Sequence, residues 1–129
     1  MAYTFDKTID GMLFDEVIEA TKAALATKGF GVLTEIDVRA TMKKKLDVDV
    51  PDYFILGACN PKMALEAIKI EAKVGAMLPC NVIVRSLESG AIMVSAIDPV
   101  ASMQAIDNRE LIAVAGQVRA LLQEAIGNI

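Results

Sequence analysis

Two cysteines, each followed by an asparagine, are the residues of this chain best suited to chemistry: Cys59-Asn60 and Cys80-Asn81. Each pair also adjoins a proline, Pro61 after the first and Pro79 before the second. A thiol can serve as nucleophile, redox centre or soft metal ligand, provided the thiolate is accessible. The chain holds no histidine. It therefore builds no Ser-His-Asp triad or Cys-His dyad, and no histidine-ligated zinc or haem site. Two cysteines also fall short of a four-thiolate site in one chain, although a dimer could supply four.

Local signals around the cysteines set their surroundings. Tyr53-Phe54-Ile55-Leu56 is aromatic and β-branched and reads as a strand. Asn60 suits a helix N-cap and Pro61 the first helical position, so a helix is expected from Pro61 to about residue 70. Cys59 then lies where a strand meets a helix N-terminus, an environment that can lower a thiol pKa. Pro79 favours an extended Leu78, and Cys80 to Val84 reads as the following strand. If the two strands are antiparallel neighbours, both cysteines fall at one sheet edge, with Cα atoms within about 10 Å. Asn81, an amide inside a strand, needs hydrogen-bond partners if buried. Arg85, on the same strand face as Asn81, could attract an anion or pair with a surface carboxylate. Met63 and Met77 flank the site and read as packing residues rather than ligands. The opposing reading of the cysteines is that of small buried hydrophobes. A stable disulfide is disfavoured in a reducing compartment.

Gly57-Ala58-Cys59-Asn60-Pro61-Lys62, Ala64, Ala67, Gly75 and Leu78-Pro79-Cys80-Asn81-Val82 resemble the uncharacterised prokaryotic family domain of unknown function 302. Gly29 to Leu33, Thr34 to Val38 and Val94 to Pro99 extend the match along most of the chain. The resemblance implies an α+β domain similar in layout to half of the TATA-binding protein: one strand, a helix, four strands, a helix. It brings no catalytic residue and no cofactor.

The remaining elements follow from spacing. Tyr3, Phe5 and Ile9 share one face of a first strand over Ala2 to Ile9. Phe14, Val17, Ile18, Thr21, Ala24 and Leu25 recur at helical spacing up to Lys28-Gly29, where glycine suits the C-terminus. Phe30, Val32, Thr34 and Ile36 are expected on one face of a second strand. Asp37 caps a short helix with Val38, Met42 and Leu46 as its stripe. Residues 71 to 77 connect to a hairpin of strands near 80 to 86 and 91 to 97. Asp98-Pro99 starts a short helical turn, and Asp107 caps a last helix with Leu111, Ala115, Val118, Leu122 and Ala125 inward. The expected fold is one curved antiparallel sheet with its helices packed on a single face and short extra helices between strands.

At 129 residues the chain reads as one domain, 1–129. No run approaches the ~18 apolar residues of a membrane span, and the start shows no signal-peptide pattern. Cytoplasmic residence follows as the default. A net charge of −4 argues against nucleic acid as a partner. The basic cluster Arg39, Lys43, Lys44 and Lys45 reads first as a solvated helix face. Hydrophobic content of 54% suggests apolar surface that a second subunit covers, hence a homodimer. Three functions stay open: a small-ligand or cofactor-binding module with a site at Cys59, Asn60, Cys80, Asn81 and Arg85; a thiol-dependent enzyme or redox protein; and a dimerisation or partner-docking module.

Overall fold

Inward-facing apolar residues on alternate strand positions assemble an open five-stranded antiparallel sheet. The computed structural model describes residues 2–129. In chain order it comprises β1 (Thr4–Ile9), α1 (Phe14–Ala26), β2 (Gly31–Asp37), α2 (Val38–Leu46), β3 (Tyr53–Cys59) and α3 (Pro61–Ile70). A 3-10 helix (Ala72–Met77), β4 (Cys80–Ser86), β5 (Ile92–Ile97), α4 (Pro99–Ser102) and α5 (Arg109–Gly127) follow. The strand order is β1-β5-β4-β3-β2, with every neighbouring pair antiparallel. Strands β2 to β5 thus form a meander, while β1 docks against β5 at the far edge.

The register aligns the inner face in rows. Leu56 pairs with Val82, Val82 with Ala96, and Ala96 with Phe5; in the next row Phe54, Val84 and Val94 align. Helix α1 lays Val17, Ile18 and Leu25 on this face, and α5 adds Leu122, Ala125 and Ile126. Full burial of each such Leu, Ile or Val contributes about 1.5–3 kcal/mol. Thr21, fully buried in α1, donates its hydroxyl to the Val17 carbonyl at 2.7 Å, so its polarity is satisfied. A second cluster gathers Ala67, Val74, Met103, Leu111, Val114 and Ala115. It holds α3, the 3-10 helix and the start of α5 together.

Three local expectations need correction. Val32 and Ile36 do not share a face, because the register shifts between Val32 and Thr34. Val32 pairs with Ala58 on the inner face, whereas Thr34 and Ile36 pair with Gly57 and Ile55 on the outer one. The irregularity turns Glu35 inward, where Lys22 of α1 meets it at 2.8 Å. Such a bulge reverses side-chain alternation at the cost of one extra residue. Helix α2 buries none of its residues, and Leu46 remains 65% exposed, so its apolar stripe is not a core stripe. The α5 cap is Asn108, not Asp107: its side chain accepts from Leu111 N–H at 3.1 Å.

Two polar contacts lock the outermost elements. Lys7 points inward between Phe5 and Ile9, and its Nζ donates to the carbonyls of Gly127 and Ile129 at 2.9 and 2.8 Å. It thereby satisfies the orphan C-terminal end of α5 and suits its negative dipole. Asp98 caps α4 by accepting from Val100 and Ala101 N–H, and pairs with Arg119 Nε at 3.3 Å. The Arg119 guanidinium lies 5.5 Å from the Phe5 ring centroid.

Candidate functional site

The C-terminal end of β3 and the N-terminal end of β4 lie side by side. Ala58 pairs with Cys80, and Gly57 with Asn81. Cys59 therefore stands one residue past the direct partner of Cys80, and direct antiparallel partners have Cα atoms roughly 4.5–5.5 Å apart. The two Cys-Asn pairs converge at one edge, as an antiparallel arrangement requires. Both thiols are free.

The turn out of β3 is built by Asn60. Its Oδ1 accepts from Met63 N–H at 3.4 Å, and Pro61 occupies the first helical position. Asn60 also lies against the turn after α1: a Cβ on Gly29 would sit 3.2 Å from its Nδ2. Gly29 has φ +81°, a conformation that glycine adopts without strain. On the other side of the site, Leu78 is extended and the Leu78–Pro79 peptide is cis.

Between these turns and α5 lies a cavity of about 30 Å³. Strand ends supply Ala58, Cys59, Pro79 and Cys80; α3 supplies Met63, Ala64 and Ala67. Met103 follows α4, and Leu111, Val114, Ala115 and Val118 come from α5. The volume exceeds the ~10–15 Å³ that one water needs and falls well below the 300–1,000 Å³ of a drug-sized pocket. The lining is almost wholly apolar, and among the described residues no charged side chain borders it. Cys80 forms the buried floor, 8% exposed, and Cys59 the half-buried rim.

This setting reverses the expected thiol chemistry. Burial pushes the Cys80 thiol up to about 11, and the neighbouring Cys59 charge adds to the rise. Burial also raises the Cys59 thiol above its ordinary value. Desolvation of the thiolate outweighs the α3 N-terminus that was expected to lower it. Among the described residues no three His, Cys, Asp or Glu side chains gather as a metal-ligand set.

The five candidate residues separate into two groups. Cys59, Asn60 and Cys80 border the cavity. Asn81 points to the opposite sheet face and is exposed, away from the cavity. Arg85 lies five residues beyond Cys80 on β4, about 17 Å along the strand. Its Nη2 contacts Met93 Sδ at 3.3 Å, beside a separate open cleft formed with Val38, Met42, Pro51 and Tyr53. Met103 borders the cavity although its position after a four-residue helix gave no periodic signal. Its only sequence cue is the Asp98-Pro99 turn that places it. The basic cluster pairs locally, Arg39 with Asp52 at 3.1 Å and Lys43 with Asp47 at 2.9 Å. Among the described residues no helix is long and apolar enough to cross a membrane.

No curated protein matches the chain. An uncharacterised conserved DUF302 protein from Bacillus stearothermophilus has a crystal structure similar to this one, with a TM-score of 0.91. The two share 22% identity over 99% of this chain and 98% of the other, and that likeness speaks for the fold alone. The family model described as "domain of unknown function DUF302" matches residues 5–129, from within β1 to the residues beyond α5. With both cysteines and all of the sheet but Thr4 inside the matched span, the chain belongs to the DUF302 family.

Proposed function

We propose that this domain is a small-ligand-binding module whose site is the cavity under α3 and α5. The observation that carries this reading is the apolar cavity bordered by Cys59, Asn60 and Cys80. Apolar walls reward the transfer of an apolar group out of water, and an ion enters only where side chains coordinate it. Two flexible side chains, Met63 and Met103, form part of the wall, and rotation of either enlarges the space. Thiol catalysis is less well supported. Burial favours the protonated form of both thiols, and among the described residues no charged side chain borders the cavity. The reading suits a reducing compartment such as the cytoplasm, where thiols stay free.

Native mass spectrometry of protein purified from its own host tests it. The expected result is a mass above that of the 13.8 kDa chain, lost on mild denaturation. Ala64→Leu, at a half-buried wall position, is expected to remove the added mass while the chain still melts cooperatively. A bare chain mass, together with no xenon-induced NMR shifts at Ala58, Ala67 or Ala115, would sink the reading.

A second reading, that the domain is a homodimer, rests on the outer sheet face. Ile36, Ile55 and Ile83 form one continuous row across β2, β3 and β4, with Met93 in the adjoining row. None of the four belongs to either core cluster. Sedimentation at micromolar concentration is expected to give a species of twice the chain mass. Ile83→Lys, at the β4 end of that row, is expected to return it to 13.8 kDa while the chain still melts cooperatively, with a melting temperature that no longer depends on concentration. A monomeric wild-type chain removes the dimer.

A further inference from the structure

The cavity is bordered by four sulfur-bearing residues, two cysteines and two methionines. Cys80 lies at its floor, Cys59 at its rim, and Met63 and Met103 in its walls. The chain holds seven methionines and two cysteines in all. Both cysteines and two of the methionines therefore border one space of about 30 Å³. Met77, the other methionine beside the motif, does not border the cavity and stays 40% exposed. Thiolates and thioethers are soft donors, and among biological ions they select Cu(I). Zinc takes four nitrogen, oxygen or sulfur ligands in a tetrahedron, a set that is missing here among the described residues. The space is small for most organic ligands and ample for a single ion. Apolar walls would also keep water, and with it the aqueous ligands that compete for the ion, away from the sulfurs.

We propose that the cavity binds one Cu(I) ion through the Cys59 and Cys80 thiolates, with the Met63 or Met103 thioether as a further donor. This rests on the ligand-binding reading above and names the ligand. Binding exchanges protons for metal: Cu⁺ and two thiols give a bis-thiolate complex of charge −1 and two protons released to solvent. No oxidation state changes. The complex carries its negative charge beside the N-terminus of α3, where the helix dipole favours an anion, although Pro61 has no N–H and the Met63 and Ala64 amides already donate to Asn60. Protonated thiols at neutral pH leave the empty site uncharged, which is compatible with its apolar walls. Metal affinity should therefore rise with pH, as two protons leave for each ion bound.

The test uses the full chain, anaerobic and reduced, with Cu(I) offered as its bicinchoninate complex. The expected result is transfer of one Cu(I) per chain and growth of ultraviolet thiolate-to-copper absorption. X-ray absorption at the copper edge is expected to show sulfur neighbours only. Cys80→Ser should abolish transfer from the chelator. Met63→Leu and Met103→Leu, each close in volume and so compatible with the fold, are compared: one of the two should weaken binding about tenfold, the lower end for loss of a supporting group, and no change in either overturns the thioether donor. Nitrogen or oxygen neighbours in the wild-type spectrum overturn the proposal without any variant. So does Cu(I) transfer that survives in the Cys59→Ser/Cys80→Ser double variant. If copper fails to bind but an organic mass is found on the native chain, the metal falls and the ligand-binding reading stands. If neither binds, both fall.

Discussion

Gly57→Ala is expected to lower the unfolding free energy by about 1–3 kcal/mol, the usual cost of overpacking. Gly57 sits in the middle of the sheet, paired with Thr34 on one side and Asn81 on the other. A Cβ there would collide with Thr34 Oγ1 and would lie 2.8 Å from Pro79 Cγ. Thr34 can rotate away; the Pro79 ring is tied to the backbone that leads into Cys80. The added methyl should therefore move the turn before β4 and, with it, one wall of the cavity. Chemical denaturation gives the magnitude, and a Gly57→Ala/Thr34→Gly double variant should recover part of the loss. A loss below about 0.5 kcal/mol, the range of ordinary surface changes, would show that the strand ends are not tightly packed.

Alkylation of Cys80 in the native chain at pH 8 is expected to run about 100-fold slower than in the unfolded chain. That ratio follows from the thiolate fraction when the pKa moves from 9.0 to about 11. Steric shielding can only add to it. The same shift has a sign in stability. A thiol whose folded pKa lies above its unfolded value contributes stabilisation that is complete below about pH 9. It is lost as pH rises to about 11. The full loss is about 2–3 kcal/mol at 1.36 kcal/mol per unit. Tyrosines and lysines titrate nearby, so the quantity to measure is the difference between wild type and Cys80→Ala across pH 8 to 11. Parallel stability curves for the two proteins would show that Cys80 is not desolvated.

The parts of this fold that were legible in the sequence are those where a local rule and the tertiary structure agree. Asn60-Pro61 announced the start of α3 because a cap and a fixed φ need nothing from outside the segment. Val17, Leu25, Leu111 and Leu122 were readable as core from spacing, since a helix has only one stripe to bury. The bulge in β2 was not readable. Val32-Leu33-Thr34-Glu35-Ile36 puts apolar residues at both odd and even positions, so its pattern fixes no face, and only its pairing with β3 reveals the register shift. The site shows the same division. Antiparallel neighbours brought Cys59 and Cys80 together, as topology demands, but Asn81 and Arg85 went to the other face because strand alternation is strict. The thiol pKa values failed as expectations for a quantitative reason. A helix N-terminus contributes under about 1 kcal/mol near the surface, less than the cost of desolvating a buried thiolate.

The placement of β1 carries a consequence for the order in which the sheet is made. Five residues separate Ser86 from its partner Ile92 in the β4–β5 pair, whereas 82 separate Ile9 from the same Ile92. Closing the longer loop costs about 2.5 kcal/mol more chain entropy by the logarithmic rule. Pairing of β1 therefore gains little until β5 is already held by β4, and it is α5, rather than α1, that packs on β1 once it is in place. The cysteine-bearing strands β3 and β4 belong to the part that forms early. The N-terminal strand, with Lys7 fastened to the end of α5, is the closing step. A nascent chain would thus hold its first strand in waiting until nearly all the rest had emerged.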